Sequence, residues 1–323
     1  MAFNLSLLNQ WIEERAGNII QLPIERDGSL DYFDKVTNVS GQITKLPVID
    51  TDVTASTDPC NINATGQDTI KQFTITTKPF NIRKTWCLQQ LKQYFATQWL
   101  PNDTEMPKEF AALDTLVENA LLKVALKQSR QVWMSDTGVA AFPNDFKAFD
   151  GLIKQLQTNV PAVNQNTLPS GQTITTANII NVMDEVIGKL PVYTGQELVV
   201  FVPAELVRKL TIALRNANYF HYTADPQLAE NGALKPFYYP GTEVLIVPTS
   251  GLNSNSVPSQ PLSKKQCIYA TYRGNLTLAY NISLDDRVVF YSDYHKQLVM
   301  DIQYEIGAGV KDFTFVSEFH LTP

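Results

Sequence analysis

The chain has 323 residues, which is enough for one large hydrophobic core or two smaller ones. Its formal net charge is -6 and it has no dense run of lysine or arginine, so direct recognition of nucleic acid is not expected. Cys60, Cys87 and Cys267 are too few for a disulfide framework and lack the spacing of a zinc site, and no segment is apolar enough to span a membrane.

The first predicted element is a short amphipathic helix over residues 4–16. Its apolar face carries Leu5, Leu8, Trp11 and Ile12. Such a face on so short a helix needs a surface on which to dock. We therefore predict that these four side chains hold the N-terminal segment in place.

Residues 36–68 contain no phenylalanine, tyrosine or tryptophan, although 10% of the chain is aromatic. Aliphatic residues are spread among threonine and aspartate, which favours extended strands over disorder. Residues 70–83 continue as a strand by alternation. We predict a two-stranded ribbon which, being marginal alone in water, lies on another copy of the chain. The side chains expected at that contact are Ile43, Leu46, Ile49, Phe73 and Ile75.

A much longer helix is predicted over about 107–135. Pro107 suits the first turn of a helix, and Gly138 lies past the predicted end. At 1.5 Å per residue, about 28 residues form a rod of roughly 42 Å. The apolar stripe expected to pack along this rod includes Phe110, Leu113, Val117, Leu121 and Val124.

The segment 159–172 is rich in proline, asparagine, glutamine and serine, and we predict a domain boundary there. Beyond it, buried strands over 198–202 and 244–247 alternate with helices, which is typical of a mixed α/β lobe. The irregular segment 216–241 lies between these strands. Four tyrosines near its ends are expected to contact neighbouring subunits: Tyr219, Tyr222, Tyr238 and Tyr239.

The last part of the chain is predicted to consist of antiparallel strands. Residues 268–272 and 276–280 are expected to form a hairpin, closed by the Gly-Asn pair between them. Strict alternation over 300–306 predicts a further strand. We expect that strand to end in a turn at Gly307 and Gly309 and to continue into a terminal meander.

No arrangement of catalytic groups stands out. The three histidines, His221, His295 and His320, are never spaced as a pair on one helical face, so the usual zinc-hydrolase and acid–base sites lack their parts. We therefore expect no enzyme activity, no cofactor and no metal. The alternative from a different class is a ligand- or polysaccharide-binding enzyme built on the mixed lobe, which would require a convergent set of polar groups.

The order of these elements resembles that of the major capsid proteins of tailed bacteriophages, which have the Hong Kong 97-type fold. Three stretches strengthen the resemblance: residues 198–206 (LVVFVPAEL), 267–276 (CIYATYRGNL) and 304–310 (YEIGAGV). Residues 58–60 (DPC) and 86–91 (WCLQQL) are similar to capsid proteins of phages that infect gut Bacteroidota, including crAss-like phages.

This resemblance implies an α+β chain divided into the parts of that family. They are the N-terminal arm (1–36), the E-loop (37–85), the peripheral P-domain with its spine helix (86–158), the axial A-domain (159–284) and the closing P-domain strands (285–323).

The resemblance also implies self-assembly as hexamers and pentamers into the icosahedral head that encloses the double-stranded DNA genome. The chain would assemble in the cytoplasm of the host bacterium and reside in the virion, with no membrane contact. Its implied partners are further copies, portal and head-completion proteins, and scaffold or decoration proteins, with packaged DNA only in non-specific proximity. The alternative with the same fold is an encapsulin shell, which predicts a cargo-peptide groove beside the N-terminal helix.

Overall fold

The computed structural model describes residues 28–37, 39, 43–51, 68–87, 108–169, 171–191, 196–217, 229–230, 233–253, 257, 261, 264–281, 287–292 and 297–321. The helix expected at 4–16, with Leu5, Leu8, Trp11 and Ile12, lies outside these residues, as do Tyr219 and Tyr222.

The helices of the described part are α1 (Lys108–Met134), α2 (Leu152–Asn159), α3 (Ile179–Gly188) and α4 (Ala204–Asn216). Its strands are β1 (Asp34–Thr37), β2 (Ile43–Thr51), β3 (Asp68–Thr76), β4 (Lys78–Cys87), β5 (Gln165–Leu168), β6 (Leu198–Pro203), β7 (Ala229–Glu230), β8 (Ala233–Leu234), β9 (Phe237–Tyr238), β10 (Leu245–Thr249), β11 (Ile268–Tyr272), β12 (Leu276–Asn281), β13 (Arg287–Ser292), β14 (Gln297–Val310) and β15 (Val316–Leu321).

Helix α1 begins and ends one residue inside the interval expected from the sequence. Val117, Leu121 and Val124 are buried along it, in the stripe that the sequence pattern indicates. Phe110 and Leu113 lie in its first two turns. Burying a large aliphatic side chain stabilises a fold by about 1.5–3 kcal/mol, so this stripe attaches the helix firmly to the sheets.

A six-stranded sheet has the order β5-β15-β11-β6-β10-β9 and is buried on both faces. On β6, Val199 and Phe201 belong to the core that contains α1, whereas Val200 and Val202 belong to the core with α3 and α4. A strand buried on both faces has a continuous apolar sequence, which explains the uninterrupted run over 198–203.

A five-stranded sheet has the order β1-β12-β14-β13, with β4 paired to the other edge of β14. Ile302, Tyr304 and Ile306 of β14 point into the core around α1. The Tyr304 hydroxyl donates a hydrogen bond to Oε1 of Gln131 at 2.8 Å, which ties the sheet to the helix. Both sheets therefore share α1 as their common support.

The expected hairpin over 268–272 and 276–280 is wrong. Strand β11 lies in the six-stranded sheet and β12 in the five-stranded sheet, and each already has a partner on both sides. Gly274, with a φ of 79°, turns the chain from one sheet to the other, and its N–H donates to the carbonyl of Tyr32. A Gly-Asn turn signal cannot distinguish such a crossover from a hairpin.

Gly307 and Gly309 lie inside β14 rather than at the expected turn. Strand β15 then leaves this sheet and pairs with β5 and β11. The expected unit 285–323 is therefore split between the two sheets, and its last strand belongs with the strands of 159–284. The chain is a mixed α/β protein whose two sheets are joined by a shared core.

Candidate assembly surface

The ribbon formed by β2 and β3 is anchored on the outer face of the five-stranded sheet. Ile75 is fully buried there beside Val39 and Ala279, and Leu46 and Phe73 pack against this small cluster while keeping part of their surface exposed. Leu46 and Phe73 also face each other across the ribbon. The near end of the ribbon is thus held by its own subunit.

Two glycines of β14 allow this close approach. A Cβ atom at Gly307 would lie 2.9 Å from the carbonyl carbon of Thr76, and one at Gly309 would lie 2.8 Å from Cγ1 of Ile75. Real Cβ atoms hardly ever come so close to another heavy atom, so each glycine leaves the space that the ribbon fills.

Polar contacts fix the direction in which the chain leaves the ribbon. Thr77 Oγ1 donates a hydrogen bond to Glu305 Oε1 just before β4 begins. Farther along, Nε and Nη2 of Arg83 lie 2.9 and 2.5 Å from Oδ2 of Asp301 on β14. Strand β4 is therefore attached to β14 by side chains as well as by its backbone ladder.

The expectation that Ile75 contacts a neighbouring subunit needs correction. Its side chain has no exposed surface, because the sheet of its own chain already covers it. Ile43 and Ile49 lie on β2 in register with Thr76 and Ile70. The near end of the ribbon is therefore an anchor on the sheet of its own chain.

Helix α1 has a second apolar feature that the sequence pattern did not single out. Leu122 and Leu126 are 41% and 40% exposed. They are four residues apart, so they lie side by side on the helix face that turns away from the core. The sequence does contain a sign of this exposed pair. Apolar residues at 121, 122, 124, 125 and 126 extend too far around the helix to belong to one buried stripe.

Basic side chains accompany these leucines. Lys123 is exposed, and Nζ of Lys127 lies 2.6 Å from a carboxylate oxygen of Asp145. Residues 119–134 contain Lys123, Lys127 and Arg130 and no acidic residue. The exposed apolar pair therefore lies beside one exposed basic side chain, Lys123, while Lys127 is paired with Asp145 and exposed Glu118 lies one turn before Leu122.

Of the four tyrosines expected at subunit contacts, the structure describes Tyr238 and Tyr239. Tyr238 is 60% exposed on β9, an edge strand of the six-stranded sheet. Tyr239 is buried, and its hydroxyl donates a hydrogen bond to Oδ1 of Asp184 at 2.8 Å. Tyr239 is therefore part of the core of its own chain, whereas Tyr238 is exposed.

A buried ion pair joins the end of α1 to the segment that precedes β11. Nζ of Lys264 lies 2.6 Å from Oδ2 of Asp136, and both side chains are 4% exposed. Burial alone would raise the pKa of Asp136, but the hydrogen bonds from Lys264 and from the Gly138 N–H outweigh it and lower that pKa. The pair therefore stabilises the interior of the protein and contributes no exposed surface.

The described residues also bear on metal binding and on membrane insertion. They contain no group of three or more histidine, cysteine, aspartate or glutamate side chains that could hold a metal ion. Among the helices of this part of the chain, none is long and apolar enough to cross a membrane.

No protein-family model matches the chain, and no curated protein matches its sequence. Solved structures do match. A chain of the satellite phage P4 procapsid including the size determination (Sid) protein has 13% identity and a TM-score of 0.50, with 99% of each chain covered.

A chain of Gordonia phage Cozz has 12% identity and a TM-score of 0.54, with 91% of this chain and 85% of that chain covered. A chain of the capsid of the native GTA particle has 11% identity and a TM-score of 0.50, with 91% and 90% covered. At these identities the likeness establishes the fold, which this chain shares with phage capsid structures.

Proposed function

We propose that this chain is a major capsid protein of a tailed phage, with the Hong Kong 97-type fold. Many copies would assemble as hexamers and pentamers into the icosahedral head around the double-stranded DNA. The observation that carries this proposal is the fold match over 99% of the chain to a phage procapsid structure. Helix α1 is the proposed spine helix, and the β2–β3 ribbon is the proposed E-loop.

The geometry of the ribbon supports a contact between copies. Its strands pair continuously from Ile43 with Thr76 to Thr51 with Asp68. At about 3.4 Å per residue, the Thr51 end lies about 27 Å along the strands from the anchored end. Two paired strands alone are marginally stable, so an arm of this length benefits from a second surface.

Charge and apolarity make α1 of a neighbouring copy the proposed surface. The stretch of sequence from 50 to 68, which includes the Thr51 end of β2 and the Asp68 end of β3, contains four aspartates and no lysine or arginine. The α1 face offers Leu122 and Leu126 beside the exposed side chain of Lys123. Burying apolar area contributes about 25 cal/mol per Å², and a modest contact repeated on every subunit adds up to a stable shell.

Further parts of the proposal concern the partners. Tyr238 would contribute to contacts around the symmetry axes, together with Tyr219 and Tyr222. The N-terminal segment would dock through its apolar helix face. Portal and head-completion proteins, and scaffold or decoration proteins, would bind the assembled shell in the cytoplasm of the host. The similarity of residues 58–60 and 86–91 to capsid proteins of crAss-like phages supports a host among the Bacteroidota.

Electron microscopy of the purified protein tests the function. We expect closed shells, capsomers or tubes. A chain that stays monomeric and monodisperse at high concentration would contradict the proposal.

A double variant tests the proposed surface. Leu122→Glu with Leu126→Glu should abolish shells but leave the thermal unfolding of the subunit nearly unchanged, because exposed substitutions cost at most about 0.5 kcal/mol each. The matched control is Ile212→Glu, since Ile212 is 41% exposed on a different helix. We expect the control to assemble. Normal assembly of the double variant would exclude α1 as the docking surface.

A further inference from the structure

Strand β15 carries an acidic residue in the interior of the protein. Glu318 lies between Tyr269 of β11 and Gln165 of β5 in the six-stranded sheet. Alternation along the strand places Glu318 on the same face as Val316, which belongs to the core around α1. The carboxyl group is thus directed toward an apolar core.

The carboxyl group of Glu318 is buried and accepts no hydrogen bond from the described residues. The side chain has 0% exposure, and neither carboxyl oxygen has a hydrogen-bond partner among the described residues. The nearest ring nitrogen, Nδ1 of His320, lies 3.7 Å from Oε1, which is too long for a hydrogen bond. A buried carboxylate without donors is strongly disfavoured relative to the neutral acid.

The titratable groups that face Glu318 do not stabilise its negative charge. On β11 these are Cys267 and Tyr269, both fully buried, and burial raises the pKa of each. On its own strand the group is His320, whose pKa burial lowers. Lys264 lies near Cys267, but its ammonium group is paired with Asp136.

The other elements that pack on β15 do not supply a free charge either. On β5, the neutral amide of Gln165 donates to the carbonyl of Val160. Helix α2 faces the core with apolar side chains, and its Lys154 lies 3.9 Å from Asp136. Helix α3 packs on the opposite face of the sheet, and its carboxylates, Asp184 and Glu185, are exposed. Lys189, the residue after α3, is also exposed, and its ammonium group donates to the backbone carbonyl of Gln165 at 2.7 Å.

We propose that Glu318 acts as a proton-dependent latch on the edge of the six-stranded sheet. Its neutral carboxyl group lets β15 stay packed, and loss of the proton favours opening of the β5–β15 pair, which admits water to the carboxylate. The opening occurs at this edge because β5 has four residues and pairs with β15 alone in the sheet order. Short edge strands open at lower free energy than central ones.

The sign of the pH dependence follows from the two states. Burial raises the pKa of Glu318 from 4.5 to about 7 in the closed sheet, and the ordinary value applies once the edge is open. The open state therefore binds fewer protons between these values. Opening becomes about tenfold more favourable per pH unit from about 4.5 to about 7, and it is independent of pH above that range.

Hydrogen–deuterium exchange of peptides covering 165–168 and 316–321 tests this between about pH 5 and about pH 8. After correction for intrinsic exchange, protection in the natural chain should fall about tenfold per pH unit up to about pH 7. In Glu318→Gln it should not change with pH. Glu243→Gln, which alters an exposed glutamate, should behave like the natural chain.

Two results would overturn the proposal. One is the same pH dependence in Glu318→Gln as in the natural chain. The other is a dependence that His320→Gln removes and Glu318→Gln retains, because histidine would then be the titrating group. If Glu318→Gln does not fold, infrared spectroscopy of the natural subunit decides. A carbonyl band of a protonated carboxylic acid should persist at about pH 6 and titrate near pH 7, and its absence at about pH 6 would equally refute the latch.

Discussion

Trp133 lies where the two sheets and the long helix meet. Its ring stacks on Tyr269 at 5.8 Å, packs tilted against Phe201 at 5.4 Å, and meets Phe33 edge-on at 5.7 Å. These partners come from three distant parts of the chain. Aromatic pairs of this kind add about 0.5–1.5 kcal/mol beyond the burial of their area. One side chain thus connects Phe33, which precedes β1, with β6 and β11.

At the same scale, Lys264→Met should destabilise the subunit by about 3–5 kcal/mol, because it leaves the carboxylate of Asp136 buried without its partner. Chemical denaturation measures the change. Lys154→Met is the matched control, since Lys154 is 42% exposed and lies 3.9 Å from the same carboxylate. Its loss should cost less than about 1 kcal/mol. Equal costs for the two variants would contradict the importance of the buried pair.

At the scale of the element, the ribbon depends on two glycines in a strand it does not pair with. Strand β14 has partners on both edges, and the ribbon crosses its outer face where Gly307 and Gly309 leave room. The ribbon is therefore held by packing on a face rather than by extension of the sheet. Side chains at these two positions decide whether the ribbon can rest there.

Gly307→Ala should displace the base of the ribbon, because the new Cβ would press on the backbone at Thr76. We expect a loss of about 1–3 kcal/mol in unfolding free energy and fewer assembled shells. The control is Gly188→Ala, where a Cβ meets no atom within 4 Å and a helix gains an alanine. That change should stabilise by up to about 1 kcal/mol. An unaffected Gly307→Ala variant would show that the ribbon tolerates a looser base.

At the scale of the whole molecule, the distribution of charge matters more than the net charge. The four aspartates of 50–68 and the basic residues of the C-terminal half of α1 belong to one chain. In the proposed shell they would meet between copies. Such attraction acts between partly exposed groups, so salt screens it over about 8–10 Å at 0.1–0.15 M ionic strength.

Assembly should therefore weaken as sodium chloride is raised, which light scattering at fixed protein concentration can follow. In a Lys123→Gln variant this salt dependence should be smaller, because one exposed charge beside the proposed contact is removed. Assembly that strengthens with salt to the same extent in both proteins would indicate a contact that is mainly apolar.

Much of the local structure follows from the sequence, because it depends on neighbours along the chain. The period of apolar residues predicts the long helix, and alternation predicts strand β14. The continuous apolar run at 198–202 predicts a buried strand. The lack of aromatic residues over 36–68 predicts a ribbon without a core of its own.

Only the tertiary structure decided which surfaces these elements cover. It placed β11 and β12 in different sheets, moved β15 away from β14, and buried Ile75 and Tyr239 in their own subunit. It also left Leu122 and Leu126 exposed on the long helix. Sequence periodicity shows that a helix or strand has an apolar face to bury. The surface that covers this face comes from a distant part of the chain or from another copy.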